Sequence, residues 1–108
     1  MTNWARCFFV EGIPDISSRV VPYKIISPEM VTITYKGESY DIPLDKIQII
    51  EPPKFTYGDF VSPVNHPEIV GIIFDMIYHG DKKMPMYFIE IDGKKKSKRY
   101  FDDDLIRR

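Results

Sequence analysis

The sequence predicts an all-β protein made of two tandem half-repeats packed together. Three observations carry that reading: prolines spaced so that no long helix fits, short β-branched and aromatic runs bounded by turn residues, and a strand–turn–strand motif that occurs twice. Nine prolines are scattered from Pro14 to Pro85, and no run between them sustains an i, i+3, i+4 apolar pattern. A proline removes a backbone donor and clashes with the preceding helical turn, so helices are confined to short pieces.

Taken in order, strands are predicted over 5–10, 20–26, 30–35, 39–42, 47–50, 59–64, 69–78, 87–91 and 98–101. The run Val31-Thr32-Ile33-Thr34-Tyr35 alternates apolar and polar residues, which gives one face to a core and one to water. In Phe88-Ile89-Glu90-Ile91 the two isoleucines share a face, and Phe88 must find cover beside Glu90. Lys36-Gly37 and Asp92-Gly93 supply the positive-φ residues that a tight hairpin requires. Short helical turns are expected at 44–47 and 103–107, with Asp41 and Asp102 near the N-cap positions.

The repeat aligns Ile33-Thr34-Tyr35-Lys36-Gly37 with Ile89-Glu90-Ile91-Asp92-Gly93. Downstream it aligns Ile42 with Phe101 and Ile47 with Ile106, five residues apart in each copy, and upstream 20–26 with 70–76. Between the copies stands Glu51-Pro52-Pro53-Lys54, stiff and unable to continue a strand. The expected organisation is a first half over 1–51, a linker at 52–54 and a second half over 55–108.

The second half opens Tyr57-Gly58-Asp59-Phe60-Val61 and continues Val70-Gly71-Ile72-Ile73. After a hairpin it closes with Asp104-Leu105-Ile106. This resembles the SH3-like small barrels of the Tudor, chromo-barrel and KOW kind, with their Gly-Asp-x-Val first strand, Gly-x-Ile/Val second strand and closing Asp-Leu. The first half is similar more faintly, with Glu11-Gly12 in place of the Gly-Asp opening. The resemblance implies two SH3-like barrels, in which Gly71 passes a barrel corner and Leu105 plugs an end. Such barrels bind peptides, methylated lysines, nucleic acids and proteins, and small bacterial and phage inhibitors and immunity proteins use the fold. It therefore implies a scaffold and no single function.

Composition narrows the function classes. The 108 residues are 44% apolar and 14% aromatic, enough for a core. The formal charge is −1, from 15 basic and 16 acidic residues, so the overall field favours neither polyanions nor basic partners. No stretch approaches the roughly 20 apolar residues that span a bilayer, and the first residues lack a signal-like apolar run. One cysteine, Cys7, excludes an internal disulfide and suits a reducing compartment. A cytoplasmic protein without membrane contact is expected.

The most conspicuous local feature is the basic run Lys94, Lys95, Lys96, Lys98 and Arg99, flanked by Tyr87 and Tyr100. Phosphate contact with stacked bases is one reading. The other is a solvated turn whose lysines keep an edge strand from pairing, and Asp102, Asp103 and Asp104 follow at once to oppose a polyanion. The loop 81–86 ends in Met84-Pro85-Met86, where methionine adapts to many contact shapes. Consecutive aspartates diverge too much to chelate a hard cation. His66, His79 and Cys7 fall short of a zinc set, and Cys7 sits in an apolar run without a nucleophile motif. Phe60, Tyr78, Tyr87 and Tyr100 could be arranged as a cage for a methylated lysine, although aromatics in so small a chain are more often core. The expectation is a non-catalytic protein with neither cofactor nor metal, binding a protein partner through loops or a strand edge. Lys94, Lys95, Lys96, Lys98, Arg99, Tyr87, Tyr100, Met84 and Met86 are its candidate contacts, and nucleic acid at 94–99 is the alternative.

Overall fold

The computed structural model describes residues 2–108. The chain divides into two compact units, one ending at Pro52 and the other running from Pro53 to Arg108. Each is built on a five-stranded antiparallel sheet, and the only helical elements among the described residues are two 3-10 turns. The protein is all-β.

The first unit contains β1 (Asn3–Cys7), β2 (Val20–Ser27), β3 (Met30–Tyr35), β4 (Glu38–Pro43) and β5 (Ile47–Ile50). Its sheet order is β4-β3-β2-β1-β5, and a 3-10 turn, Leu44–Lys46, precedes β5. The β3–β4 hairpin closes through Lys36 (φ 52°) and Gly37 (φ 78°), the paired left-handed residues of a type I′ turn. The alternation of β3 buries Val31, Ile33 and Tyr35 with Ala5, Cys7, Val21, Ile42 and Ile47. Ile16 reaches the same core from the long β1–β2 connection.

The second unit contains β6 (Phe60–Pro63), β7 (Gly71–His79), β8 (Met84–Ile91), β9 (Lys94–Lys95) and β10 (Leu105–Arg107). Its order, β10-β6-β7-β8-β9, matches that of the first sheet strand for strand, with a 3-10 turn, Asp102–Asp104, before the last strand. Asp92 (φ 51°) and Gly93 (φ 77°) close β8 to β9. A bulge between Ile73 and Asp75 shifts the register, so Ile73 and Met76, three apart, both enter the core. Gly71 is required by close approach: a Cβ there would lie 3.0 Å from Ile89 Cδ1 and 3.3 Å from the Glu90 carbonyl. Gly58 (φ 86°) leads into β6, with its N–H donated to the Ile73 carbonyl at 2.8 Å.

Several boundaries differ from expectation. β1 ends at Cys7, and Phe8 instead donates its N–H to the Lys46 carbonyl at 2.8 Å. The strand expected at 98–101 reduces to one bridge, Tyr100 with Tyr87, because the charged residues before it stay in solvent. Met84, Pro85 and Met86 are not loop but the start of β8, paired with His79, Tyr78 and Ile77. Neither Asp41 nor Asp102 is an N-cap; Pro43 and Phe101 hold those positions. Asp41 accepts the Thr32 hydroxyl at 2.6 Å across the strands, and Asp104 accepts the Phe101 N–H at 2.9 Å.

Candidate functional site

The pairing registers decide which side chains share a face of the second sheet. Directly opposed residues point the same way, as do residues two apart on one strand. Phe60 is opposite Ile72, Ile72 opposite Glu90, and Glu90 opposite Lys95. These four form one row across β6, β7, β8 and β9, spanning roughly 14 Å at the usual strand spacing. A second row on that face begins at Ile106 of β10, opposite Ser62. The other face carries Val61, Ile73, Ile89, Tyr87 and Leu105, all buried.

Along this row the outer face is apolar at β6 and β7 and carries one cation, Lys95, at β9, whereas Lys94, opposite Ile91, falls on the other face. Phe60 is 53% exposed, Ile72 36% and Ile106 40%, and Val64 and Val70 in the β6–β7 connection add further apolar surface. Scattered exposed hydrophobics are ordinary, but cross-strand neighbours forming a continuous patch mark an interaction surface. At the far side every residue from Asp92 to Arg99 is exposed. Lys95 lies over the Phe74 ring at 5.5 Å and Lys98 over the Tyr100 ring at 5.3 Å. Among the described residues no ion pair holds Lys94, Lys95, Lys96, Lys98 or Arg99.

The other candidate contacts lie elsewhere. Tyr87 is fully buried: its hydroxyl donates to Asp102 Oδ1 at 2.8 Å and accepts the Lys54 and Phe55 N–H groups at 3.1 and 3.3 Å. Burial and the Asp102 hydrogen bond push its ionisation well above the ordinary tyrosine range. Tyr100 is 9% exposed and Met86 8%, so neither offers a surface ring or thioether, and Met84 is half-buried. Packing of the second core took them inward. Phe60 and Tyr87 sit on opposite faces of the sheet, so the aromatic cage does not assemble.

His66 faces Glu68 at 3.5 Å, both largely in solvent, and His79 Nδ1 accepts the Lys82 N–H at 3.1 Å. Cys7 is buried, which pushes its thiol up to about 11. Among the described residues no three His, Cys, Asp or Glu side chains are grouped to hold a metal ion. No described helix is long and apolar enough to cross a membrane.

The apolar side of the face was not anticipated from sequence. Its signal was present in Val70-Gly71-Ile72-Ile73-Phe74, which is apolar at both parities of a strand. Such a run signals two covered faces or one face awaiting a partner.

One comparison with known proteins identifies a relationship. The model of a family of unknown function, DUF6960, matches residues 13–106. No curated protein and no solved structure matches the chain.

Proposed function

We propose that this chain, which belongs to the DUF6960 family of unknown function, is a non-catalytic binding protein that engages a protein partner through the outer face of its second sheet. The observation that carries the reading is the exposed Phe60–Ile72 cross-strand pair with Ile106 beside it. Apolar surface of this kind costs free energy while it stays in water, at about 25 cal/mol per Å², and association recovers it. We read the two units as SH3-like repeats. Support comes from the identical strand order, the type I′ turn at the same place in each, and the 3-10 turn before each last strand. A cytoplasmic setting fits the single, buried and unreactive Cys7.

The test is capture from native extract with the full chain, comparing wild type with a Phe60→Ser/Ile72→Ser variant whose fold is checked by circular dichroism. A protein that is retained by wild type, lost with the variant, and then binds wild type when purified supports the proposal. Identical capture by both chains, or none above background, refutes it.

A further inference from the structure

We propose that the partner presents carboxylates: an extended acidic polypeptide segment lies along residues 94–99, with apolar residues of the same partner seated on Phe60 and Ile72. This rests on the reading above and names the chemistry that the face selects.

Charge is the first argument. Five cations stand on six consecutive positions without a carboxylate partner among the described residues. The acidic groups nearest in sequence are Asp92 in the turn, Glu90 in the row and, after the arm, Asp102, Asp103 and Asp104, none of them ion-paired with a cation of the arm. Asp102 accepts the Tyr87 hydroxyl and Asp104 the Phe101 N–H, which orients these two carboxylates within their own turn. Cations held in no ion pair and at such density attract an anionic chain over about a Debye length, roughly 8 Å in physiological salt.

The backbone supplies the second argument. Ile91 and Lys94 flank the two-residue turn as its hydrogen-bonded pair, and the Lys96 N–H bonds to the Ile89 carbonyl at 3.0 Å. The residue between Lys94 and Lys96, Lys95, therefore turns its N–H and C=O away from β8, at an edge that no strand among the described residues covers. An extended peptide can add there, its main chain meeting Lys95 while carboxylates on alternate residues reach the lysines.

The third argument separates a protein from a nucleic acid. Single-stranded nucleic acid is held by aromatic platforms as well as by charge. Tyr87 and Tyr100 are buried, Lys95 lies over Phe74, and Lys82 lies over Phe101 at 4.4 Å. The arm thus has cations beside a peptide edge, while the exposed ring of Phe60 lies three strands away from β9. Four of its five cations are lysines, point charges without the bidentate fork by which arginine reads phosphate.

The experiment measures fluorescence anisotropy with the full chain and three labelled probes. These are a synthetic peptide of about 12 residues alternating glutamate with leucine, its glutamine counterpart, and an oligothymidylate of matching charge. The glutamate peptide should bind at least about tenfold more tightly than the glutamine peptide, and weaken by at least about tenfold between about 50 and 300 mM salt. The exposed-site variant Lys94→Ala/Lys95→Ala/Lys96→Ala should lose a similar factor while keeping its circular dichroism spectrum. Failure of the glutamate peptide to bind, or binding indifferent to the three lysines, overturns the inference. Equal or tighter binding of the oligothymidylate with the same lysine dependence overturns it in favour of nucleic acid. If the partner caught through Phe60 and Ile72 is still held by the lysine variant, the face stands as a binding surface and the acidic segment alone falls.

Discussion

Replacing Tyr87 with phenylalanine tests the central polar contact of the second unit. The ring would keep its edge-on packing with Phe55, whose centroid is 5.3 Å away at 78°, so the change isolates one oxygen. That oxygen serves three groups: it donates to Asp102 Oδ1 at 2.8 Å and accepts the N–H groups of Lys54 and Phe55 at 3.1 and 3.3 Å. Phe55 is 2% exposed, so its N–H has no water to replace the lost acceptor. A buried group left unsatisfied costs about 1–3 kcal/mol, and a hydrogen bond to a charged acceptor contributes about 1.5–3 kcal/mol. The Phe55 bond is long, Asp102 is only half-buried and Lys54 is exposed, so water recovers part of the loss. The expected destabilisation is about 2–3 kcal/mol. Urea unfolding followed by circular dichroism measures it, and amide hydrogen exchange at Phe55 and Ile89 localises it to the second unit. Asp102→Asn and the double variant complete a cycle, which should show about 1 kcal/mol or more of coupling because both changes break one contact. A loss under about 0.5 kcal/mol, or strictly additive changes, would refute the assignment of Tyr87 as the fastening of residues 53–55 to the second sheet.

Three further outcomes are expected. The buried Cys7 thiol has its ionisation raised from 9.0 to about 11, so its contribution to stability is complete below pH 9 and is lost as pH rises toward 11. The whole effect is about 3 kcal/mol; Cys7→Ala should flatten that alkaline slope, and native protein should resist a thiol reagent at pH 8. Gly71→Ala should lower stability by about 1–3 kcal/mol in a thermal melt, because Ile89 Cδ1 can swing aside while Ile89 Cβ, at 3.2 Å, and the Glu90 carbonyl cannot. Ser62→Ala should be neutral or stabilising in urea, since the Ser62 hydroxyl is buried with no hydrogen-bond partner and its removal forfeits only a desolvation cost; a loss above about 1 kcal/mol would mean that the hydroxyl is bonded after all.

Features whose physics is local could be read from the chain before any coordinates. Lys36-Gly37 and Asp92-Gly93 close hairpins because left-handed backbone at two successive residues is a property of the turn itself. The alternation over Val31 to Tyr35 names its own buried face, and the cationic arm is exposed because nothing covers so many lysines. Features that depend on what packs opposite were misread. Tyr87 and Tyr100 were candidate surface rings because a tyrosine suits either side of a sheet; the core and the Asp102 contact claimed the first, and pairing with Tyr87 drew in the second. Met84-Pro85-Met86 read as loop because proline discourages a strand, yet Pro85 pairs with Tyr78 within β8.

The repeat shows why the binding face in particular was hidden. The sequence aligned Ile42 with Phe101 and Ile47 with Ile106, apolar with apolar, at the correct five-residue spacing. Aligned instead on the 3-10 turns, Leu44–Lys46 and Asp102–Asp104, the equivalents are Tyr100 and Leu105. Burial agrees: Ile42 and Tyr100 are 2% and 9% exposed, Ile47 and Leu105 8% and 1%, whereas Ile106 is 40% exposed. A slip of one residue exchanges the two faces of a strand, because side chains alternate with period two. Reading 103–107 as a short helical turn left the strand Leu105–Arg107 unrecognised, and with it the sheet face on which Ile106 lies. In the observed register Ile106 points outward, on the face it shares with Ser62, Phe60 and Ile72. A five-residue spacing holds in either alignment and cannot choose between them; the placement of the 3-10 turn does.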